Sequence, residues 1–299
     1  MIPDDPTDRR ERARRLPGDA PFALLLTHDV DRPYKSWQAP YFALKNRRPG
    51  ELLDLLPSRQ PWWRFEDVAA TEREAGVRSA FYVLRERSLR ERSLADLRTP
   101  TNWVEGLGRY DPERPAIRAA LDSLSAGGWE VGLHGSYDSY RQPARLKREK
   151  RLLDRLVDAE VVGGRQHHLN LDVPATWRAH RAAGLRYDTS LGSAARVGFE
   201  HGYGPLRPLD DDFLVFPTTV MDKALPDPGV APDRARAVLA DLLTEARENA
   251  AVMTVLWHPR TFDDGDFPGH ADLYRWLVER ALDVGAWVGP PRDLAARWL

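Results

Sequence analysis

The sequence predicts a single α/β domain closed into a barrel, and three observations carry that expectation. Apolar runs of strand length recur along the chain, the segments between them have helical periodicity, and this alternation repeats about eight times in 299 residues. Strands that alternate with helices call for a parallel sheet with crossover helices. About eight such units in a chain of this length point to a barrel rather than an open sheet. No shift in composition marks a second domain, and no internal repeat is visible.

Taken in order, residues 1–20 read as an N-terminal extension and residues 21–299 as the barrel. Met1 to Arg15 is charged and contains proline, without an apolar core of signal-peptide length, so the expected location is cytoplasmic. The predicted strands are Phe22–Thr27, Ser79–Leu84, Glu130–Leu133, Val161–Gln166, Leu185–Asp188, Phe213–Pro217, Val252–Trp257 and Ala286–Val288. The predicted helices are Glu66–Ala75, Pro115–Ala126, Pro143–Asp158, Pro174–Ala183, Asp233–Ala250 and His270–Val284. Two long connections interrupt the pattern. Arg32 to Arg64 carries Tyr34, Trp37, Tyr41, Trp62 and Trp63, and Arg85 to Tyr110 carries Trp103. Connections of that length in a compact domain hold binding function or order poorly. The basic run Arg145–Arg155 has leucines near helical spacing and reads as the solvated face of a helix.

Composition removes several classes of function. Lys plus Arg (44) nearly cancels Asp plus Glu (45), so no global field recruits nucleic acid. There is no cysteine, which excludes disulfides, thiolate metal sites and a cysteine nucleophile. The longest apolar runs, such as Phe22 to Leu26, are too short to span a bilayer.

The chemistry gathers at strand ends. Thr27-His28-Asp29-Val30-Asp31 follows the first apolar run, and side-chain alternation points Asp29 and Asp31 the same way. Two converging carboxylates repel unless a cation lies between them or one holds a proton. Gly132-Leu133-His134-Gly135-Ser136-Tyr137-Asp138 follows the third strand. A helical turn beginning near Gly135 would put His134 and Asp138 on one face, where an imidazole and a carboxylate can share a metal ion. Leu256-Trp257-His258-Pro259 ends a later strand, and an imidazole there can donate a proton near neutrality. Arg165-Gln166-His167-His168 and Tyr187-Asp188-Thr189-Ser190 end two others. Each cluster alone has an ordinary structural explanation, as a cap, a salt bridge or a hydrogen-bonded core histidine. Five of them at five strand ends are harder to explain that way, because barrel active sites lie at that mouth.

This ordered set resembles the polysaccharide deacetylase family (carbohydrate esterase family 4-like), whose NodB-homology fold is a distorted (β/α)7-type barrel. The family's first motif is matched by Asp29 and Asp31, its second begins at His134, its Arg-containing third corresponds to Arg165, its fourth to Asp188 and its Leu-x-His fifth to Leu256-Trp257-His258. The resemblance implies a metal-dependent hydrolase acting on carbon-nitrogen bonds, which removes acetyl groups from an N-acetylated sugar or polysaccharide precursor. Asp29 would be the general base, His258 the acid for the leaving amine, Arg165 the partner of Asp29, and Asp188 the residue that orients a catalytic partner. Asp31 and His134, with Asp138, would hold one divalent ion: zinc first, then cobalt, manganese or iron. Trp257, Tyr137 and Trp103 would contact the carbohydrate, because amphipathic rings suit sugar faces.

Two departures keep other readings open. The family's second motif histidine is Asp138 here, which makes a harder, more anionic donor set. His167 or His168 could supply the nitrogen instead, although satisfied histidines are common. Thr261-Phe262-Asp263-Asp264-Gly265 copies the family's commonest first motif but has no strand before it and stands out of order, so it reads as an acidic loop. A same-fold hydrolase of a cyclic amide or imide, and a glycan-binding barrel without catalysis, therefore stay beside the deacetylase. Neither oligomeric state nor the identity of the sugar is readable.

Overall fold

The computed structural model describes residues 8–298 apart from 57 and 108; the remaining parts of the 1–20 and 21–299 segments lie outside the described residues. Nine strands are present among the described residues: β1 (Ala23–Val30), β2 (Ala80–Leu84), β3 (Glu130–Gly135), β4 (Gly163–Gln166), β5 (Tyr187–Asp188), β6 (Leu214–Val215), β7 (Thr218–Met221), β8 (Val252–Trp257) and β9 (Trp287–Gly289). Their order is β6-β5-β4-β3-β2-β1-β8-β7, with every pairing parallel. The long strand β1 pairs with β9 along Ala23–Leu25 and with β2 along Thr27–Val30. The sheet curls until Gly192, just beyond β5, bridges to Thr218 of β7, which brings the two sides of the distorted barrel together.

Parallel strands need crossovers, and helices supply them. These are α1 (Arg9–Arg15), α2 (Ala39–Lys45), α3 (Phe65–Glu74), α4 (Pro100–Gly106), α5 (Pro115–Ala126), α6 (Pro143–Leu156), α7 (Ala175–Ala182), α8 (Pro232–Asn249), α9 (His270–Asp283) and α10 (Pro291–Trp298). Proline opens several of them, including α5, α6 and α8, at a position whose missing N–H costs the helix nothing. The predicted strands all have counterparts, but β7 was not anticipated. Pro217 separates it from β6, and its Thr-Thr-Val-Met run lies too close behind to be read as a second strand. The connection Arg32–Arg64 holds α2 and a 3-10 segment, Pro49–Leu55, that pack together, and Arg85–Tyr110 holds α4.

Because the sheet is buried on both faces, its apolar core divides in two. Phe22, just before β1, and the outward residues Leu24, Leu26 and Val30 of β1 pack under the helices with Phe81, Leu133, Met253 and Trp257. Inward residues Ala23 and Leu25 meet Tyr82, Tyr187 and Phe216, and Leu16, Leu294 and Trp298 close the barrel floor. The ring of Tyr187 fills the volume that a Cβ at residue 163 would occupy, 1.8 Å from the ring's Cζ, so the inward face of β4 requires glycine there. Beside it Glu130 is fully buried, accepting a hydrogen bond from the Tyr187 hydroxyl and, at 3.1 Å, one from the Arg292 N–H. Burial lifts that carboxyl to about 7.

Candidate active site

Side-chain alternation along β1 continues from floor to mouth: after Ala23 and Leu25, the inward positions are Thr27 and Asp29, and Asp31 follows at the strand's end. Arg165 of β4 reaches across the interior toward them. Its guanidinium donates to Thr27 Oγ1 and Asp29 Oδ1 at 2.8 Å each, to the Thr189 carbonyl at 3.1 Å and to Thr218 Oγ1 at 3.2 Å. It also lies over the Tyr82 ring, 5.1 Å from its centroid. A fully buried guanidinium is tolerable because its donors and its charge are matched.

Above this layer His134 points inward from β3. Its Nδ1 lies 3.0 Å from the Arg165 carbonyl, an acceptor that fixes the proton on that nitrogen. Nε2 then faces Asp31 Oδ1 at 3.1 Å and Asp29 Oδ2 at 3.7 Å. Burial works against charging the imidazole, and the two aspartates outweigh it, raising its pKa. His167 follows directly on β4, with Nε2 3.7 Å from Asp31 Oδ1. Burial, reinforced by the Arg109 charge, keeps this second ring well below the usual histidine pKa and therefore neutral. Its Nδ1 is buried without a hydrogen-bond partner among the described residues, with Glu105 Oε2 at 3.4 Å.

Asp31, His134 and His167 together bring one ligand atom each within 4.8 Å of one another. One ionised carboxylate, one imidazole whose far nitrogen is already bonded and a second, neutral imidazole form a donor set that fits a divalent cation, which would displace the Nε2 proton of His134. Burial opposes the charge on Asp31, but hydrogen bonds from His134 and His258 and the Arg260 guanidinium hold its carboxyl well below the usual range. Its two oxygens divide the work. Oδ1 faces the histidines, while Oδ2 accepts from Arg260 Nη1 at 3.0 Å and stands 3.4 Å from His258 Nε2. Glu105, His167 and His168 form a second such group on the outer side of His167.

His258 follows β8 with its orientation fixed by Asp222, the residue after β7. Asp222 accepts from the His258 backbone N–H and from Nδ1, each at 2.9 Å. Burial penalises the Asp222 charge, and the neighbouring imidazole overcomes that penalty, so the carboxyl is held far below its ordinary pKa. The Nε2 of His258 is thereby the nitrogen turned toward Asp31 and the mouth. A cleft lined by Asp29, Asp31, Arg32, Trp62, Phe65 and Arg260 opens beside it.

Several expected residues stand elsewhere. Asp138 does not join His134: β3 continues through Gly135, so no helical turn starts there and a four-residue spacing does not align the two side chains. The Asp138 carboxylate is partly exposed and 3.7 Å from Arg145, and His167 takes the place expected of it. Asp188, expected to orient a catalytic partner, does not face the barrel interior. Its neighbour Tyr187 fills the barrel floor, so Asp188 turns to the helix layer, accepting from Trp177 at 3.2 Å and Ser190 Oγ at 2.5 Å and lying 3.2 Å from His180. The orienting carboxylate beside His258 is Asp222, a residue the sequence reading overlooked because β7 was not recognised. Trp257 also faces outward, fully buried against Tyr274 at 5.3 Å between ring centroids, and does not line the cleft. Trp103 is 46% exposed with its indole N–H donated to the Leu97 carbonyl, apart from the cleft residues. Tyr137 remains at the mouth, edge-on to His168 at 5.5 Å. In the Thr261–Gly265 loop, Asp263 pairs with Arg64 at 2.8 Å, which ties the first long connection to the barrel.

No protein-family model and no curated protein matches the chain by sequence. Solved structures do match in fold. A Pseudomonas aeruginosa PAO1 protein assigned as a polysaccharide deacetylase superposes with a TM-score of 0.62 at 17% identity, over 98% of this chain and 94% of its own. A Mycobacterium smegmatis protein with the same assignment gives 0.60 at 18%, over 94% and 91%. The Puue allantoinase gives 0.61 at 16%, over 98% and 94%. The chain thus has the polysaccharide deacetylase fold, which an allantoinase shares.

Proposed function

We propose that this protein is a metal-dependent hydrolase that removes the acetyl group from an N-acetylated sugar. One observation carries the reading: Asp29, paired with Arg165, and His258, paired with Asp222, flank the Asp31–His134–His167 group at the barrel mouth. That is a base, an acid and a cation-binding set within reach of one small acyl group. The carbohydrate part of the reading rests on the likeness of fold to the two assigned deacetylases.

Asp31, His134 and His167 would hold the cation, with zinc best suited to one carboxylate and two imidazoles and cobalt, manganese or iron as competitors. The chemistry such an ion would supply there is a bound water of lowered pKa and polarisation of the acetyl carbonyl. Asp29 accepts a proton from the attacking water as its oxygen bonds to the acetyl carbon. His258 delivers a proton from Nε2 to the amide nitrogen as the carbon–nitrogen bond breaks, leaving acetate and a free amino sugar. Asp222 keeps the His258 ring turned and stabilises it when charged, and Arg260 keeps Asp31 from rotating away.

The likeness to an allantoinase supports a second reading, hydrolysis of a cyclic amide or imide by the same groups. Both are tested on protein reconstituted with zinc, cobalt or manganese and offered N-acetylated hexosamines, their oligomers, and cyclic amides and imides. The expected result is acetate release from an N-acetyl sugar, abolished in Asp29→Asn and His258→Gln with the metal content unchanged. Ring opening without acetate release would select the second reading. Failure to bind any of the three metals would refute the cation assignment.

A further inference from the structure

The segment between Asp31 and α3 leaves and rejoins the barrel at the cleft, whose lining includes Arg32 at one end and Trp62 at the other. Between those anchors it presents large apolar side chains to solvent. Trp37 is 66% exposed, Tyr41 61% and Leu44 81%; Tyr41 and Leu44, three residues apart, share one face of α2, and Trp37 stands in the turn just before it. Leu52, Leu53, Leu55 and Leu56, on the adjoining Pro49–Leu55 stretch and just past it, are 46–48% exposed. Scattered exposed leucines need no explanation, but so many on two packed elements mark a surface that meets something.

Charge indicates what it meets. Among the described residues from 36 to 60, Lys45, Arg47, Arg48 and Arg59 are all exposed. The segment's two carboxylates turn inward instead. Glu51 and Asp54 close on the buried Lys35 at 2.9 and 3.2 Å, and Asp266 completes the cluster at 2.7 Å. The buried cluster thus anchors the segment to the loop after β8, and leaves its outer face apolar with cationic flanks. Aromatic and leucine side chains with flanking Lys and Arg are the composition of a surface that lies in an anionic bilayer interface. A second copy of the chain would bring this positive rim against itself.

We propose that residues 37–56 dock the protein on an anionic membrane surface, with the cleft opening beside the lipid headgroups. This is peripheral binding, since no helix among the described residues is long and apolar enough to cross a membrane. The claim stands on the surface alone and is independent of the reaction proposed above.

The test is co-sedimentation of the full chain with vesicles of phosphatidylcholine alone and of phosphatidylcholine mixed equally with phosphatidylglycerol. Binding should favour the anionic vesicles by at least about tenfold and weaken as salt is raised. Trp37→Ser combined with Leu44→Ser, and separately Arg47→Glu combined with Arg48→Glu, should each reduce it at least about tenfold. All four side chains are exposed, so thermal unfolding of both variants should match the parent. Wild-type protein that stays in the supernatant with both vesicles, or variants that bind as the parent does, would overturn the proposal. A concentration-dependent dimer in analytical ultracentrifugation that the Trp37/Leu44 variant abolishes, without vesicle binding, would assign the face to a second copy instead.

Discussion

Replacing Asp222 by asparagine probes the acid half of the site without touching the groups expected to hold metal. The carboxylate and the His258 ring are 2.9 Å apart at their bonded atoms and both are buried, so their charge centres lie about 4 Å apart. At an effective dielectric of about 20, a full charge pair at that distance is worth about 4 kcal/mol. That interaction is largest when the ring carries its extra proton, the form that must donate to the leaving amine. Its loss therefore corresponds to about a thousandfold in the rate of carbon–nitrogen cleavage. An asparagine can still accept from the His258 backbone N–H, so the fold is expected to survive. The assay is single-turnover acetate release from an N-acetylhexosamine substrate, with metal content measured on the same samples. A rate within about threefold of the parent, with metal intact, would refute the assignment of Asp222 as the residue that positions the acid.

Two further outcomes are expected. His167→Ala should weaken zinc binding at least about a hundredfold, about 2.7 kcal/mol, while Asp138→Asn stays within about threefold; competitive titration against a chelating dye distinguishes the two, and the reverse order would restore Asp138 to the metal. Glu130, with its carboxyl raised from an ordinary 4.5 to about 7 by burial, contributes stability that is fully present below about pH 4.5 and lost as pH rises through about 7. The difference corresponds to about 3 kcal/mol. Glu130→Gln should accordingly gain on the parent between pH 5 and 8 in urea unfolding, and a gap independent of pH would show that the buried carboxyl stays charged.

The legible part of the molecule is the part where periodicity and chemistry coincide. In β1 an apolar run ends in Asp29 and Asp31, and alternation correctly puts both on one side; the structure adds Thr27 below them and His28 on the opposite face, bonded to Glu72 at 2.8 Å. Alternation says that neighbours face opposite ways, but not which of them faces inward. Where both faces of a strand are apolar nothing in the sequence decides, and Asp188 and Trp257 were both turned the wrong way for that reason. Asp138 differs: a glycine after an apolar run reads as the start of a helical turn, whereas the strand runs on through Gly135. Asp222 was hidden behind Pro217 and an unread strand, although it is a polar residue ending an apolar run like the others. The first long connection has no sustained period, and its order comes from contacts distant in sequence, Lys35 with Asp266 and Arg64 with Asp263.

Arg165 lies where another barrel would have a layer of aliphatic side chains. Its guanidinium joins β1, β4 and β7 across the interior, and its charge is balanced there by Asp29. Removing one member of a buried pair typically costs about 3–5 kcal/mol, whereas replacing both together can be neutral. A descendant of this chain that had lost its activity would therefore still be held to Asp29 and Arg165 by folding, unless both changed at once. Persistence of that pair among relatives measures the barrel's need for a filled centre and says little about turnover. His167, Asp222 and His258 lie above the filled layer and are freer to drift once selection on the reaction ends. Those three positions, rather than the aspartate–arginine pair, are where a lineage of inert barrels would part from a lineage of enzymes.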